Sequence, residues 1–450
     1  MKKRFAIILA SVIFLSGVLA GCSSSIDTRE MDVSIDEIQL GEDHTDLKAS
    51  ITFLTFRNDL LDQFSDYVKE FNKLYPNIEV KYEGISDYEH DVLIRLTSNK
   101  KWGDIMMIPH ISKKETSEYF MPYGDISSLD KIYNYMSIWE YDEKVYGIPS
   151  TGIAYGIVYN KAVFAKAGVN ELPKTPDEFL EALRLIKTNT NAIPLYTNYA
   201  AGWTMSCWDA YIGSCATGNA DYINQVFVRE KIPFSNRGNG TYPYAVYKIL
   251  YDAVEQKLIE DDYTTTDDMG SYAMINKGEI ACLVQGSWAI AELQAVGPKT
   301  DDVSYMPFPI SVNGKQYVPT GPEYSYGINK HSSYDNRLAS MIYVKWLTHN
   351  SGFYFSEQSM PVVKSDRLPD LYSVFDGLEF VTDTPPLSGE ESFLDDLNKE
   401  TGLLFNAYGN EKVQKIIEHA FKGDRSFDDI MDEWNSKWNA AQKKFGIETR

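Results

Sequence analysis

The sequence predicts an α/β protein of two lobes. Three observations lead there. At 450 residues the chain exceeds what one ordinary hydrophobic core organises. Its first hundred folded residues alternate strand and helix. A second alternating series begins after a joint of small residues, Ser150-Thr151-Gly152. A composition of 44% hydrophobic and 24% charged residues is that of a globular chain with a large interior, not of a disordered one.

The first series opens at Ile51 to Phe56, a β-branched and aromatic run ending in the turn-prone Arg57-Asn58-Asp59. Leu60, Leu61, Phe64, Tyr67, Val68, Phe71 and Leu74 then recur at helical spacing until Pro76. Ile78 to Tyr82 alternates as a strand, Tyr88 to Leu96 is helical, and Asp104 to Ile108 is a short apolar strand of the kind a parallel sheet buries. Val145 to Pro149 and Ile153 to Tyr159 are extended segments on either side of the small-residue joint, a candidate hinge because such a joint absorbs dihedral change. In the second series Thr175-Pro176-Asp177-Glu178 reads as a capping box with proline at the first helical position. Ile193 to Tyr196 is strand-like, Tyr244 to Leu258 helical, and the helix near Ser271 to Lys277 stops at Gly278. Ile280 to Val284 is a strand with Gln285-Gly286-Ser287-Trp288 at its carboxyl end, where open α/β sheets bind ligands. Helices follow from Leu338 to Leu347, from Glu411 to Lys422, and after a Ser426 cap.

The N-terminus carries an address. Lys2, Lys3 and Arg4 precede an apolar run, Phe5 to Leu19, too short for a stable membrane span. The run ends in Leu19-Ala20-Gly21-Cys22, which resembles the lipobox of bacterial lipoproteins. That resemblance implies cleavage of a signal peptide at 1–21 and diacylation of Cys22, enough to anchor the chain stably at the extracytoplasmic face of a bacterial cell membrane. The polar, acidic stretch 22–49 is expected to be a flexible tether. No later apolar run is long enough to cross a bilayer.

A formal charge of -21, from 64 acidic and 43 basic residues, repels phosphate backbones and argues against nucleic acid as a partner. Cys207, Cys215 and Cys282 are an odd count; a Cys207–Cys215 bridge is open in an oxidising compartment, and neither the cysteines nor the 6 histidines show zinc-ligand spacing. No metal and no cofactor is expected.

Several pieces in chain order carry a resemblance: Phe71-Asn72-Lys73-Leu74-Tyr75-Pro76-Asn77-Ile78-Glu79-Val80, Gly103-Asp104-Ile105, Tyr146-Gly147-Ile148-Pro149, Tyr159-Asn160-Lys161 and Gly286-Ser287-Trp288. Together they resemble the family 1 extracellular solute-binding proteins of ABC importers, over most of the chain after Ser50. The resemblance implies a type II two-lobed binding-protein fold with a ligand cleft between lobes joined by several crossover segments. Its expected boundaries are 50–151 with 308–328 for the first lobe and 153–306 with 329–450 for the second. The hinge would hold Ser150, Thr151, Gly152, Met306, Pro307 and Gly327.

A sugar offers apolar C–H faces and hydroxyl edges, so its site needs flat aromatic surfaces and hydrogen-bonding side chains. Trp288, with Ser287 beside it, looks like the family's sugar-stacking tryptophan; the alternative is a core tryptophan. Trp203 and Trp208, with Asn198, lie in a segment similar to the family's second-lobe contact region, though one of the two indoles would serve the core. Phe56, Arg57 and Asn58 occupy the turn after the first strand, where Arg57 would donate to hydroxyls or a carboxylate, or make a local salt bridge instead. Pro109 and His110 follow the third strand; His110 is as readily a solvated surface residue. Tyr324 and Tyr326 point to one side of an extended segment, with Glu323 adding an acceptor. Tyr408 resembles, more loosely, a late second-lobe aromatic.

These expectations describe a monomeric receptor that closes on a carbohydrate and docks on a membrane permease, with a separate cytoplasmic ATPase. A peptide, polyamine or organic anion in the same cleft is the alternative ligand. An exported glycoside hydrolase is the alternative class, but no paired-carboxylate motif, G-x-S-x-G, H-E-x-x-H or phosphate-binding loop is present, and Ser128-Leu129-Asp130-Lys131 lacks the K-T-G that would accompany a penicillin-binding nucleophile.

Overall fold

The computed structural model describes residues 29–98, 102–406 and 409–450. The expected signal peptide, Cys22 and Tyr408 lie outside the described residues. In chain order the strands are β1 (Ala49–Thr55), β2 (Ile78–Gly84), β3 (Ile105–Met107), β4 (Gly124–Asp125), β5 (Glu140–Tyr141), β6 (Lys144–Val145) and β7 (Ile148–Pro149). They continue as β8 (Gly152–Asn160), β9 (Ile193–Tyr196), β10 (Ile280–Gly286), β11 (Val303–Met306), β12 (Tyr317–Pro322), β13 (Ser325–Ile328) and β14 (Glu379–Val381).

The strands form two main sheets. A five-stranded sheet runs β2-β1-β3-β13-β7, with β1 parallel to β2 and β3, and β13 antiparallel to β3. A six-stranded sheet runs β14-β12-β8-β10-β9, with β11 also on β8. The alternating Ile78 and Val80 of β2 and the wholly apolar β3 are buried as their patterns require. Asp104 is a brace for the first sheet: its carboxylate accepts from the Thr52 amide at 2.9 Å and from Ser332 Oγ at 2.7 Å. The helix Pro176–Asn189 starts with Thr175 Oγ1 accepting from the Glu178 amide, but Glu178 Oε2 accepts from the Lys174 amide and not from that of Thr175, so the expected capping box is only half made; the helix Asp268–Lys277 ends on Gly278 in the left-handed region at φ 79°.

Each sheet faces its own core. Phe53, Ile105, Ile148 and Tyr326 belong to one; Ile157, Leu183, Cys282 and Trp438 to another. The chain passes between them first at 150–151, and the other crossings lie elsewhere than the expected boundaries. Segment 308–322 belongs with the second sheet: the Phe308 ring stacks on Tyr211 at 3.9 Å, and Gly321 of β12 pairs with Ile153 of β8. The return therefore occurs at 323–324. Met306 pairs with Ile157 inside β11, Pro307 follows it within the second lobe, and Gly327 pairs with Met106 inside β13, so none of the three lies at a crossing. At Gly327 an added Cβ would stand 2.5 Å from the Phe120 ring, so close packing explains that glycine. The segment after Asn329, expected in the second lobe, begins instead with the helix Tyr334–His349, whose Met341, Tyr343 and Leu347 fill the first core. Met360 exchanges both backbone hydrogen bonds with Gly152 at 2.8 Å, but Val362 and Val363 still pack in the first core and the Lys364 amide donates to the Ile132 carbonyl, so the last crossing lies between Lys364 and Tyr372.

The expected tether is also shorter than 22–49. Ile35 and Ile38 are buried in the first core, the Ile35 amide donates to the Tyr123 carbonyl, and Lys345 Nζ caps the Ile35 carbonyl at 2.8 Å. Isolated isoleucines in an acidic stretch are enough to dock it when a complementary apolar surface lies within reach. The three described cysteines are free and buried, so Cys207 and Cys215 are not bridged, and burial pushes both thiols up. Among the described residues no helix is long and apolar enough to cross a membrane.

Candidate functional site

Both sheets end their parallel strands toward the hinge side, and the candidate residues gather there. On the first wall, β1 ends at Thr55, whose hydroxyl accepts from the Arg57 amide at 3.0 Å and shapes the turn. That turn leaves Phe56 40% exposed, its ring edge-on to Tyr88 and to Tyr324 at 5.6 and 5.2 Å. Arg57 is held by carboxylates: Nε donates to Asp59 Oδ1 at 3.0 Å, and Nη2 to Asp59 Oδ2 and to Glu357 Oε2, both at 2.8 Å. Burial opposes its charge, but the bonds from Asp59 and the fields of Tyr324 and Glu357 outweigh that and raise its pKa. Asn58 is exposed and turns its amide back to the Phe56 and Ile85 carbonyls.

Behind the turn stand the hinge strands. The Ser150 amide donates to the Tyr324 carbonyl at 2.7 Å, and the Glu323 amide to the Thr151 carbonyl at 3.0 Å. Thr151 Oγ1 also donates to Glu323 Oε2 at 2.9 Å. Burial raises the Glu323 carboxyl, with Arg57 pulling the other way. Tyr324 is buried at the inner edge of this wall, against Phe56. Tyr326 goes deeper: its ring meets Phe53 edge-on at 5.2 Å in the core, because β13 carries it beneath the sheet. It is a packing residue, contrary to expectation. Pro109 is buried, and His110 is exposed and tied to Glu89, its backbone amide donating at 2.8 Å.

On the second wall, Trp288 is partly buried and follows β10 directly. Its indole folds back over Gly286 so closely that a Cβ there would lie 1.7 Å from the ring, so the small residue before it is a requirement of the ring's position. Tyr155, across the β8–β10 ladder from Gly286, meets Trp288 edge-on at 5.8 Å, and the 38% exposed Trp203 lies 6.4 Å away, tilted by 43°. Ser287 is fully buried: its Oγ accepts from the Ala154 amide at 3.0 Å and from the Tyr372 hydroxyl at 2.9 Å. It locks the tryptophan turn onto β8 and does not line the cleft. Of the two candidate indoles after β9, Trp203 reaches the surface while Trp208, 3% exposed, packs edge-on to Phe308 in the core. Asn198 is buried in a left-handed conformation, and its Nδ2 donates to Asp268 Oδ1 at 3.3 Å. Burial and the neighbouring Asp267 raise the Asp268 carboxyl to about 6.

Glu292 lies on the helix Ala289–Ala295 just after Trp288; burial raises its carboxyl, with the charge of Arg57 acting against that and those of Asp59 and Glu357 adding to it. Sequence reasoning overlooked Glu292, Tyr155, Asp59, Glu357 and Asp268. Asp59 stood two residues from Arg57 and was accessible to a local argument; Glu357 lies 300 residues away and was not. Two other surface cavities, of about 500 and 600 Å³, are lined by Thr175, Tyr244 and Lys248 and by Trp102, Tyr119 and Lys330, away from these walls.

The family model described as bacterial extracellular solute-binding protein matches residues 58–351. Solved structures of BlMnBP1 with mannobiose and BlMnBP2 with mannotriose, both from Bifidobacterium animalis subsp. lactis, are 44% identical and cover 92% of this chain and 99% of theirs, with TM-scores of 0.87 and 0.86. The multiple sugar-binding protein of Streptococcus mutans is 26% identical over 263 residues, 56% of this chain and 60% of that relative's length. With its two sheets, their crossing strands and these likenesses, the chain belongs to the bacterial extracellular solute-binding proteins, family 1, and has their two-lobed type II fold.

Proposed function

We propose that this protein is the substrate-capture lipoprotein of an ABC importer and that its ligand is an oligosaccharide, with mannose-based di- and trisaccharides the first candidates. The observation that carries this reading is the pairing of exposed or half-exposed aromatic rings on both walls: Phe56 on the first, Trp203 and Trp288 on the second. Rings of that kind take the C–H face of a pyranose, while the carboxylates and Arg57 at the rim meet its hydroxyls. BlMnBP1 and BlMnBP2, which bind mannobiose and mannotriose, support the choice of sugar.

The mechanism is closure. Ligand contacts made by both walls favour the closed arrangement over the open one, and the segments at 150–151, 323–324 and 364–372 absorb the rotation. The closed form then docks on the permease. No chemistry on the sugar is required: Arg57, Glu323 and Asp268 are each tied into structural hydrogen bonds. The Leu19-Ala20-Gly21-Cys22 motif supports a diacylated Cys22 that holds a monomer at the cell surface.

A thermal-shift screen tests the reading, because a ligand that binds only the folded form raises the melting temperature by mass action. Mannobiose and mannotriose are expected to raise it, against peptides, polyamines and organic acids as the comparison set. No shift with any neutral oligosaccharide, or a shift with one of the comparison compounds alone, would end the sugar assignment.

A further inference from the structure

We infer that Gly286 is a positioning residue for the ligand: the side chain it lacks is the seat of the Trp288 indole, and that seat sets where the ring meets a sugar. This rests on the sugar-receptor reading above and adds to it a residue that acts on affinity without touching the ligand.

A glycine at the end of a strand commonly serves the backbone, by entering the left-handed region or easing a turn. Gly286 does neither. It is the last residue of β10, paired in register with Tyr155 of β8, and its φ lies outside the positive region. The turn comes after it and is made by Ser287. The Ser287 amide donates to the Ala154 carbonyl at 2.9 Å, and its Oγ accepts from the Ala154 amide at 3.0 Å and from the Tyr372 hydroxyl at 2.9 Å. The backbone at 286 would therefore carry an L side chain, and what forbids one is the tryptophan two residues on. An added Cβ would stand 1.7, 2.1 and 2.3 Å from Cζ3, Cε3 and Cη2 of Trp288, far inside contact distance.

Residues directly opposite in an antiparallel ladder place their side chains on the same face, so the space Gly286 leaves open lies beside the Tyr155 ring. The indole fills it, edge-on to Tyr155 at 5.8 Å, with Trp203 tilted by 43° at 6.4 Å. The three seated atoms form the outer edge of the six-membered ring, so the Nε1 end of the indole points away from the seat. Since hydrogen bonds hold the turn, only two side-chain torsions remain between backbone and ring, and the seat selects their rotamers. A side chain at 286 would evict the indole and leave the rest of the turn in place.

The test is a double-mutant cycle on the mature protein with Gly286→Ala, Trp288→Ala and the two combined. Calorimetry uses the tightest-binding neutral sugar among mannobiose, mannotriose, raffinose and chitobiose, and melting curves read the fold. Gly286→Ala is expected to weaken binding about tenfold or more, because the displaced ring forfeits its contact with the sugar. The double variant should bind within twofold of Trp288→Ala, because alanine at 286 has no ring left to displace. The melting midpoint should fall with Gly286→Ala in the parent and not in the Trp288→Ala background, where alanine for glycine only narrows the unfolded ensemble. If Gly286→Ala alone fails to fold, the double variant must still fold and melt no lower than Trp288→Ala. Binding by Gly286→Ala within twofold of the parent overturns the inference, as does a double variant that binds or melts clearly worse than Trp288→Ala; in either case the receptor reading stands. A Trp288→Ala variant that binds like the parent removes the indole from the site and this inference with it, and failure of every sugar to bind the parent removes the receptor reading as well.

Discussion

Truncation of Trp288 to alanine should cost the cleft its best-supported sugar surface. The ring is partly buried, held edge-on by Tyr155 at 5.8 Å and flanked by Trp203 at 6.4 Å, so one face remains for a pyranose. Covering about 60 Å² of that face is worth about 1.5 kcal/mol at ~25 cal/mol per Å². Ring polarisation against C–H bonds adds roughly 0.5–1.5 kcal/mol. Together these amount to about 2–3 kcal/mol, or roughly 30- to 150-fold in Kd. The fold should survive, because the turn is anchored by Ser287 to Ala154 and Tyr372 and not by the indole; for a chain of this size the melting midpoint should fall by only about 1 °C per kcal/mol of packing lost. Calorimetric titration of mannotriose reads the affinity, and a melting curve reads the fold. Trp288→Phe, which retains a smaller ring, should lie between the two. An Ala variant that melts like the parent and binds within twofold of it refutes the placement of Trp288 in the site.

Two predictions concern the scaffold. Lys412 Nζ lies 2.6 Å from Asp209 Oδ2, with side chains 3% and 1% exposed, and Tyr247 also donates to that carboxylate at 2.7 Å; Lys412→Met strands a buried anion and should destabilise the protein by about 3–5 kcal/mol. Adding Asp209→Asn should restore much of that loss in denaturant titrations, whereas a double variant as unstable as the single one would contradict the pairing. Glu260 accepts from the Thr197 amide at 3.0 Å, and burial raises its carboxyl to about 7 despite that bond. The native state therefore holds this proton more tightly than the unfolded chain does, so its contribution is fully present below about pH 4.5 and is lost as pH rises through about 7. The span corresponds to about 3 kcal/mol, and Glu260→Gln should flatten that part of the stability-against-pH curve relative to the parent; parallel curves would refute the assignment.

Local patterns were legible wherever one neighbourhood decided the outcome. The helices after Arg57 and Thr175, the cap at Gly278 and the buried strand at 105–107 follow from spacing and capping residues alone. Local placement of the candidate residues was legible in part: Trp288, Phe56 and Arg57 follow strand ends closely and Trp203 opens a short helix after β9. Trp208, Tyr326 and Ser287 resisted the same reasoning because alternation or proximity to a motif says which side a residue takes, not whether another element covers that side. Phe308 covers Trp208, Phe53 meets Tyr326, and Tyr372 reaches Ser287, each from a distant part of the chain.

What the amino-acid order determined by itself was the α/β alternation, the family resemblance and the small-residue joint at 150–152, since each depends on residues within a few turns of one another. Tertiary structure decided where the chain recrosses and which charges meet. Tyr334–His349 fills the first core and 308–322 the second because complementary apolar surfaces were available there, and Arg57 finds Glu357 only because the return at 323–324 brings the stretch that holds position 357 back against the turn after β1. Hydrophobic burial is non-directional and indifferent to separation along the chain, so it is settled only when the whole fold is assembled.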